Sequence, residues 1–105
     1  MNEIEKQSIK QAILENISAY PEDYPIQSCN GGVTPTDDCC SAIARYINNE
    51  YSNNPDCEKF DKDEYVQVCI DSFNDTLNLA DDNYSGTGST LSFLTDEVHR
   101  YLINN

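Results

Sequence analysis

The stretch that decides the fold is 61-DKDEYVQVCIDSFNDTLNLA-80. Its apolar residues recur every three or four positions, which is the spacing of one face of an α-helix. They are Val66, Cys69, Ile70, Phe73, Leu77 and Ala80. Asp61, with Glu64 three residues later, predicts a capping box at the start of this helix. We expect the helix to end near 81–83, where the periodic pattern stops.

A second helical pattern precedes this one at about residues 3–20. Asn2 and Glu5 suit an N-cap and its partner, and Pro21 ends the helix because it disfavours helical geometry at the residue before it. The apolar stripe of this helix comprises Ile9, Ile13, Ile17 and Tyr20.

Two more helices complete the pattern. The one before residue 54 should begin with Thr34 as N-cap and Pro35 in the first helical position, and should end within 52–54. Its predicted inner face comprises Cys40, Ile43, Ala44, Ile47 and Tyr51. The last helix should span about 90–103. Its predicted inner face comprises Leu91, Leu94, Val98, Tyr101 and Leu102.

The segments between these helices are rich in Pro, Gly, Asn and Asp. We expect turns rather than strands over 21–34, a short helical start at Asn54-Pro55-Asp56, and a flexible polar loop over 84–90. The sequence therefore predicts one all-α domain over 1–105. It should be a small bundle of about four amphipathic helices with irregular loops at 21–34 and 83–90.

The charge of the chain restricts its partners. Nineteen acidic residues against six basic ones give a formal net charge of −13. Affinity for nucleic acid comes mainly from Lys and Arg neutralising phosphate, so this balance argues against direct binding to nucleic acid or to an anionic membrane. It favours cations, basic peptides or proteins with basic clefts.

The cellular location of the protein and the redox state of its cysteines are predicted from sequence signals that the chain lacks. No apolar run reaches the length of a transmembrane helix, and the first residues lack the pattern of a secretory signal. A cytoplasmic protein with reduced thiols is the prediction. The five cysteines are an odd number. If the chain is secreted, bridges between Cys57 and Cys69 or between Cys29 and Cys39 remain open.

Catalytic and metal-binding patterns are weak in this sequence. His99 has no nucleophile and acid arranged around it by any recognisable motif. The cysteine spacings lack the close pairs typical of zinc sites, and the acids around residue 61 lack the spacing of an EF-hand. The Gly-rich segment 85–89 precedes a helix but has no phosphate-binding Lys. We therefore predict no enzyme activity, no metal and no cofactor.

The polar side of the helix at 61–80 is the strongest candidate for a binding surface. Asp71 and Asp75 lie one turn apart, about 6 Å along the axis. This is close to the spacing of phosphates along a nucleic acid strand. Acids also flank several of the seven tyrosines, and such pairs suit Arg and Lys on a partner. The predicted partner-binding residues are Glu22, Asp23, Tyr24, Asp63, Asp71, Asp75, Asp82 and Tyr84.

These features favour a non-enzymatic acidic inhibitor that occupies a basic, nucleic-acid-binding surface of another protein. In charge and size the chain is similar to DNA-mimicking phage proteins and nuclease immunity proteins. One alternative is a structural or assembly component, such as a homodimer, whose acidity serves only solubility. Another is a protein that binds a small ligand or nucleotide through the 84–90 loop. An ordinary solvated helix face is the competing interpretation of the acidic row.

Overall fold

A computed structural model describes residues 1–29, 32–77 and 90–104. These residues form four α-helices and one β-hairpin: α1 (Glu3–Ala19), β1 (Ile26–Cys29), β2 (Gly32–Pro35), α2 (Asp37–Asn53), α3 (Lys62–Thr76) and α4 (Thr90–Asn104). Short 3₁₀ turns at Pro21–Asp23 and Pro55–Cys57 follow α1 and α2. The prediction of a small, mainly helical bundle is confirmed.

The helices pack around α3. The N-terminal helix α1 packs on α3, α2 packs on α4, and α3 also contacts α2 and α4. Phe73 is fully buried at the centre, with the rings of Tyr24 and Tyr46 at 5.2 Å and 5.4 Å between centroids. Every helix contributes fully buried aliphatic side chains to this core: Ile13, Ile43, Ile47, Ile70, Leu94 and Val98. The radius of gyration, 13.4 Å, is close to the value of about 13 Å expected for a compact chain of this length.

The start of α1 follows its sequence signature. Asn2 Oδ1 accepts a hydrogen bond from the backbone N–H of Glu5, and Glu5 Oε1 accepts one from the backbone N–H of Asn2. This reciprocal arrangement is the predicted capping box. At the C-terminal end of α1 the predicted apolar stripe is wrong for Tyr20, which is 55% exposed and not part of the core.

The segment 21–34 differs from its prediction. It contains an antiparallel hairpin in which Ile26 pairs with Pro35 and Gln27 pairs with Thr34. The turn residues 30 and 31 lie outside the described residues. The two strands lack the alternation of apolar and polar residues that usually indicates a strand. Their backbone pairing and the hydrogen bonds described next stabilise them instead. The backbone N–H and hydroxyl of Thr36 both donate to the carbonyl of Pro25, which joins the two ends of the hairpin.

The hairpin also moves the start of α2. Because Pro35 belongs to β2, the predicted N-cap at Thr34 is wrong. The N-cap is Thr36, whose hydroxyl accepts from the backbone N–H of Cys39. The helix ends at Asn53 as expected, and its predicted inner face is buried except for Tyr51, which is half-buried.

The predicted N-cap of α3 is confirmed, whereas its predicted capping box and its predicted end are wrong. Asp61 caps the helix by accepting from the backbone N–H of Glu64. Glu64 does not return the bond, because its carboxylate contacts the amino group of Met1 at 3.2 Å. The helix ends at Thr76, before the predicted 81–83. The last three residues of the helix, Asn74, Asp75 and Thr76, all have weak helix propensity.

Candidate functional site

The acidic row of α3 is the first part of the candidate site. Asp63, Gln67, Asp71 and Asp75 are all exposed. Val66, Cys69, Ile70 and Phe73 hold the opposite side of the helix in the core, so residues repeating every four positions share the solvent side. Successive members are about 6 Å apart along the axis. We call Asp63, Asp71 and Asp75 the α3 row.

The local partners of the row moderate its charge. Gln67 Nε2 donates to Asp71 Oδ1 at 3.0 Å, and Lys10 Nζ lies 3.4 Å from Asp75 Oδ2. A shallow groove of about 210 Å³ separates α1 from α3, and Lys6 and Lys10 stand along it with Glu3, Asp71 and Asp75. Exposed ion pairs of this kind contribute about 0–1 kcal/mol, so the row remains open to a stronger basic partner.

The other predicted contact residues do not all join the row. Glu22 and Asp23 are exposed on the 3₁₀ turn after α1, which contacts α1 and α2. Asp82, Tyr84 and the 84–90 loop lie outside the residues whose side chains are described. The row and the Glu22-Asp23 turn are therefore separate patches carried by different elements.

Tyr24 is a core residue. Its side chain is 6% exposed, its ring packs on Phe73, and its hydroxyl donates to Asn16 Oδ1. Burial raises the pKa of the Tyr24 hydroxyl to about 12. This placement removes Tyr24 from the candidate surface. The acids beside it in sequence are exposed because the 3₁₀ turn directs Glu22 and Asp23 to solvent and Tyr24 inward.

The described cysteine side chains are buried and unpaired. Cys39, Cys40, Cys57 and Cys69 are free thiols. Burial raises the pKa of Cys39, Cys40 and Cys69 to about 12, and it also raises the pKa of Cys57. Tyr65 is buried as well, and burial raises the pKa of its hydroxyl. At neutral pH these thiols are protonated, which makes them poor nucleophiles and poor metal ligands.

A groove that the sequence interpretation missed lies where α1 passes the connection between α2 and α3. It has a volume of about 320 Å³. Its apolar lining includes Ile4, Ile9, Phe60 and Tyr65, and its charged lining comprises Glu5, Glu50, Asp56 and Lys59. We call it the Phe60 groove. Ile4, which lies outside the predicted stripe of α1 and is 78% exposed, is the sequence signal that could have indicated it.

Lys59 is one of the residues that line the Phe60 groove. Its Nζ lies 3.3 Å from Glu5 Oε2 and 5.2 Å from the centroid of the Phe60 ring. The Glu5 carboxylate accepts the backbone N–H of Asn2, and this bond, followed by the contact with Lys59, lowers the pKa of Glu5. The carboxylate therefore stays ionised and ready to hold a cation at neutral pH.

Other kinds of site are not found in the described part of the chain. Across residues 1–29, 32–77 and 90–104, no three His, Cys, Asp or Glu side chains converge in a group that could hold a metal ion. None of the helices in these ranges combines the length and apolar character needed to cross a membrane. Comparisons with protein-family models, curated proteins and solved structures found no match to this chain.

Proposed function

We propose that this chain is a non-enzymatic acidic inhibitor that occupies a basic surface of another protein, in the first instance a nucleic-acid-binding cleft. The observation that carries the proposal is the exposed α3 row, three carboxylates on one helix face of a chain with a net charge of −13. Asp71 and Asp75 lie about 6 Å apart along the helix axis, and Asp63 lies about 12 Å from Asp71, spacings that suit side chains which otherwise bind phosphates along a nucleic acid strand.

The proposed mechanism begins with electrostatic steering. The net charge draws a basic partner into encounter, and the α3 row then accepts hydrogen bonds from Arg and Lys side chains. Lys10 releases Asp75 at little cost, because both members of this pair are about half exposed. The complex blocks nucleic acid binding because the α3 row and the nucleic acid phosphates compete for the same Arg and Lys side chains of the partner.

Cytoplasmic location is part of the proposal. Four buried cysteines are unpaired thiols, and unpaired cysteines are typical of a reducing compartment. DNA-binding proteins of the cytoplasm would then be accessible targets.

The assembly alternative has one supporting observation. Ile4 and Ile103 are 78% and 83% exposed, and exposed aliphatic side chains favour self-association when they form a patch. This alternative predicts a dimer that persists at high salt, measured by analytical ultracentrifugation. The small-ligand alternative concerns the 84–90 loop and stays a prediction.

Affinity capture identifies the target of the proposed inhibitor. The tagged chain is incubated with lysate of the source organism at low and high salt, with and without competing DNA. We expect a basic nucleic-acid-binding protein that both salt and DNA release. Recovery of partners that neither treatment releases would contradict the proposal.

Matched charge variants then test the surface. Asp63→Asn, Asp71→Asn and Asp75→Asn together remove three charges from the α3 row, whereas Glu15→Gln, Glu58→Gln and Asp96→Asn remove three exposed charges elsewhere. We expect the row variant to weaken the captured complex at least about tenfold and the control variant by much less. Equal losses would assign the effect to net charge and reject the α3 row as the contact surface.

A further inference from the structure

The Phe60 groove combines an apolar lining with an acidic rim. Ile4, Ile9 and Phe60 supply aliphatic and aromatic surface, while Glu5, Glu50 and Asp56 stand around it. Its volume of about 320 Å³ lies at the lower end of the range of roughly 300–1,000 Å³ found for ligand pockets. That volume suits one or two side chains of a partner better than a large cofactor.

The position of Lys59 shows which chemistry the groove accepts. The Glu5 carboxylate and the face of the Phe60 ring both contact its ammonium group, and both interactions favour cations. The Lys59 side chain is 61% exposed, so solvent competes for this ammonium and a better cation can replace it. Lys59 thus marks a cation position built from Glu5 and Phe60.

The rest of the rim adds unbalanced negative charge. Among the described residues, Glu50 and Asp56 form no ion pair, and Lys59 is the one basic residue of the lining. An uncharged apolar occupant would leave the Glu50 and Asp56 carboxylates without a cationic partner. A purely basic occupant would leave the Ile4 side chain exposed to water. Charge and apolar surface together therefore specify an occupant that is both basic and apolar.

We propose that the Phe60 groove binds a short segment of a partner protein that carries an apolar anchor beside Arg or Lys. The anchor covers Ile4 and Ile9, and the cationic group takes the position of the Lys59 ammonium between Glu5 and Phe60. Arg suits this position best because its planar guanidinium pairs with a carboxylate and stacks on a ring at once. The inference goes beyond the proposed function, since it uses a different surface and requires apolar contact.

The first test uses the peptide acetyl-Arg-Leu-Phe-Arg-Arg-amide as the probe. Its control, acetyl-Arg-Ser-Ser-Arg-Arg-amide, has the same charge and no apolar anchor. Both are titrated into the ¹⁵N-labelled chain and followed by NMR. We expect the probe to shift the amides of Ile4, Ile9 and Phe60, with the control binding at least about tenfold more weakly. Equal binding of both peptides, or no shift at these residues at millimolar probe, would overturn the inference.

Matched variants locate the apolar contact and the cation position. Ile4→Ser should weaken probe binding about tenfold, whereas Ile103→Ser, a similarly exposed control, should leave it unchanged. Lys59→Ala should strengthen binding severalfold by emptying the cation position. Lys62→Ala removes the same charge from a lysine outside the groove lining and should have a smaller effect. Equal effects of the two lysine substitutions would reject the replacement of Lys59.

The α3 row variant separates this inference from the proposed function. If the groove is the site, Asp63→Asn, Asp71→Asn and Asp75→Asn together should change probe affinity by less than about threefold. If the row variant abolishes probe binding while Ile4→Ser and Lys59→Ala do not alter it, the groove inference fails and the proposed function stands. If only the groove variants alter probe binding, and the row variant binds the captured partner as tightly as the wild type does, the proposed function fails.

Discussion

Tyr24 joins the 3₁₀ turn after α1 to the core through one hydrogen bond and one ring contact. The hydroxyl donates to Asn16 Oδ1 on α1, and the ring lies against Phe73 on α3. A side chain that contacts two helices fixes the direction of the chain as it enters the hairpin. Its contribution is therefore to stability rather than to partner binding.

Removing the Tyr24 hydroxyl should lower the free energy of unfolding. Tyr24→Phe keeps the ring in the core but leaves Asn16 Oδ1 without its donor, at a cost of about 0.5–1.5 kcal/mol. Urea unfolding followed by circular dichroism measures it. Tyr20→Phe is the control, because Tyr20 is 55% exposed and should lose almost nothing. A Tyr24→Phe variant as stable as the wild type would show that the bond makes no net contribution.

The buried thiols should make the protein sensitive to alkaline pH. The pKa values of Cys39, Cys40 and Cys69 rise to about 12 in the folded chain, while an exposed thiol titrates near 8.5. Between these values the unfolded chain releases protons that the folded chain keeps, so the free energy of unfolding falls as pH rises. Each such thiol changes the free energy of unfolding by up to about 1.4 kcal/mol per pH unit, and the effect becomes negligible below about pH 7.

Urea unfolding at several pH values above 8 measures this slope. Cys40→Ala is an imperfect comparison because it opens a cavity, so Cys40→Ser serves as a second variant. Both should have a shallower pH dependence than the wild type, whatever their stability at neutral pH. A wild-type stability that stays constant to pH 11 would show that the thiols ionise freely in the folded chain.

At the scale of secondary-structure elements, Thr36 connects the hairpin to α2. Its hydroxyl accepts from the backbone N–H of Cys39 and donates to the carbonyl of Pro25. One side chain thus caps the helix and closes the hairpin. This double contact explains why α2 begins at Asp37.

Substitution of Thr36 should lower the free energy of unfolding by more than the loss of one small side chain would suggest. Thr36→Ala removes the cap and the bond to Pro25, so we expect a loss of about 1–2 kcal/mol in the free energy of unfolding. Ser52→Ala, at the exposed end of α2, is the control and should change stability by less than about 0.5 kcal/mol. Thr36→Ser should retain most of the stability. Equal effects of Thr36→Ala and Ser52→Ala would reject the cap.

These elements also show how far the sequence could predict the structure. The helix α3 was predictable because Val66, Ile70 and Phe73 repeat with its period, and α1 because Asn2 and Glu5 form a local capping box. The hairpin was not, because its anchor joins Thr36 to Pro25 through a contact made only in the folded chain. In the site, the exposure of the α3 row followed from periodicity. The Phe60 groove did not, because it depends on how α1 passes the α2–α3 connection.

At the scale of the whole molecule, an apolar core coexists with strong self-repulsion. Sixteen hydrophobic residues are buried in the described part of the chain, while the surface carries most of a net charge of −13. Described ion pairs such as Lys6–Glu3 and Lys10–Asp75 are exposed, and pairs of this kind contribute about 0–1 kcal/mol each. Core packing therefore stabilises the fold against its charge, and binding of the proposed basic partner would relieve that repulsion.

Salt should consequently have opposite effects on the fold and on the proposed complex. Screening reduces self-repulsion, so sodium chloride should stabilise the free chain, and a gain of about 1 kcal/mol would raise the melting temperature by roughly 4–8 °C. The same salt should weaken the captured complex. Differential scanning calorimetry of the free chain, with the Glu15→Gln, Glu58→Gln and Asp96→Asn variant as control, tests the first effect; the control should gain less because it repels itself less. A melting temperature that falls with salt would show that surface ion pairs outweigh repulsion. The acidity of the chain would then be explained by its contribution to the fold and not by a basic partner.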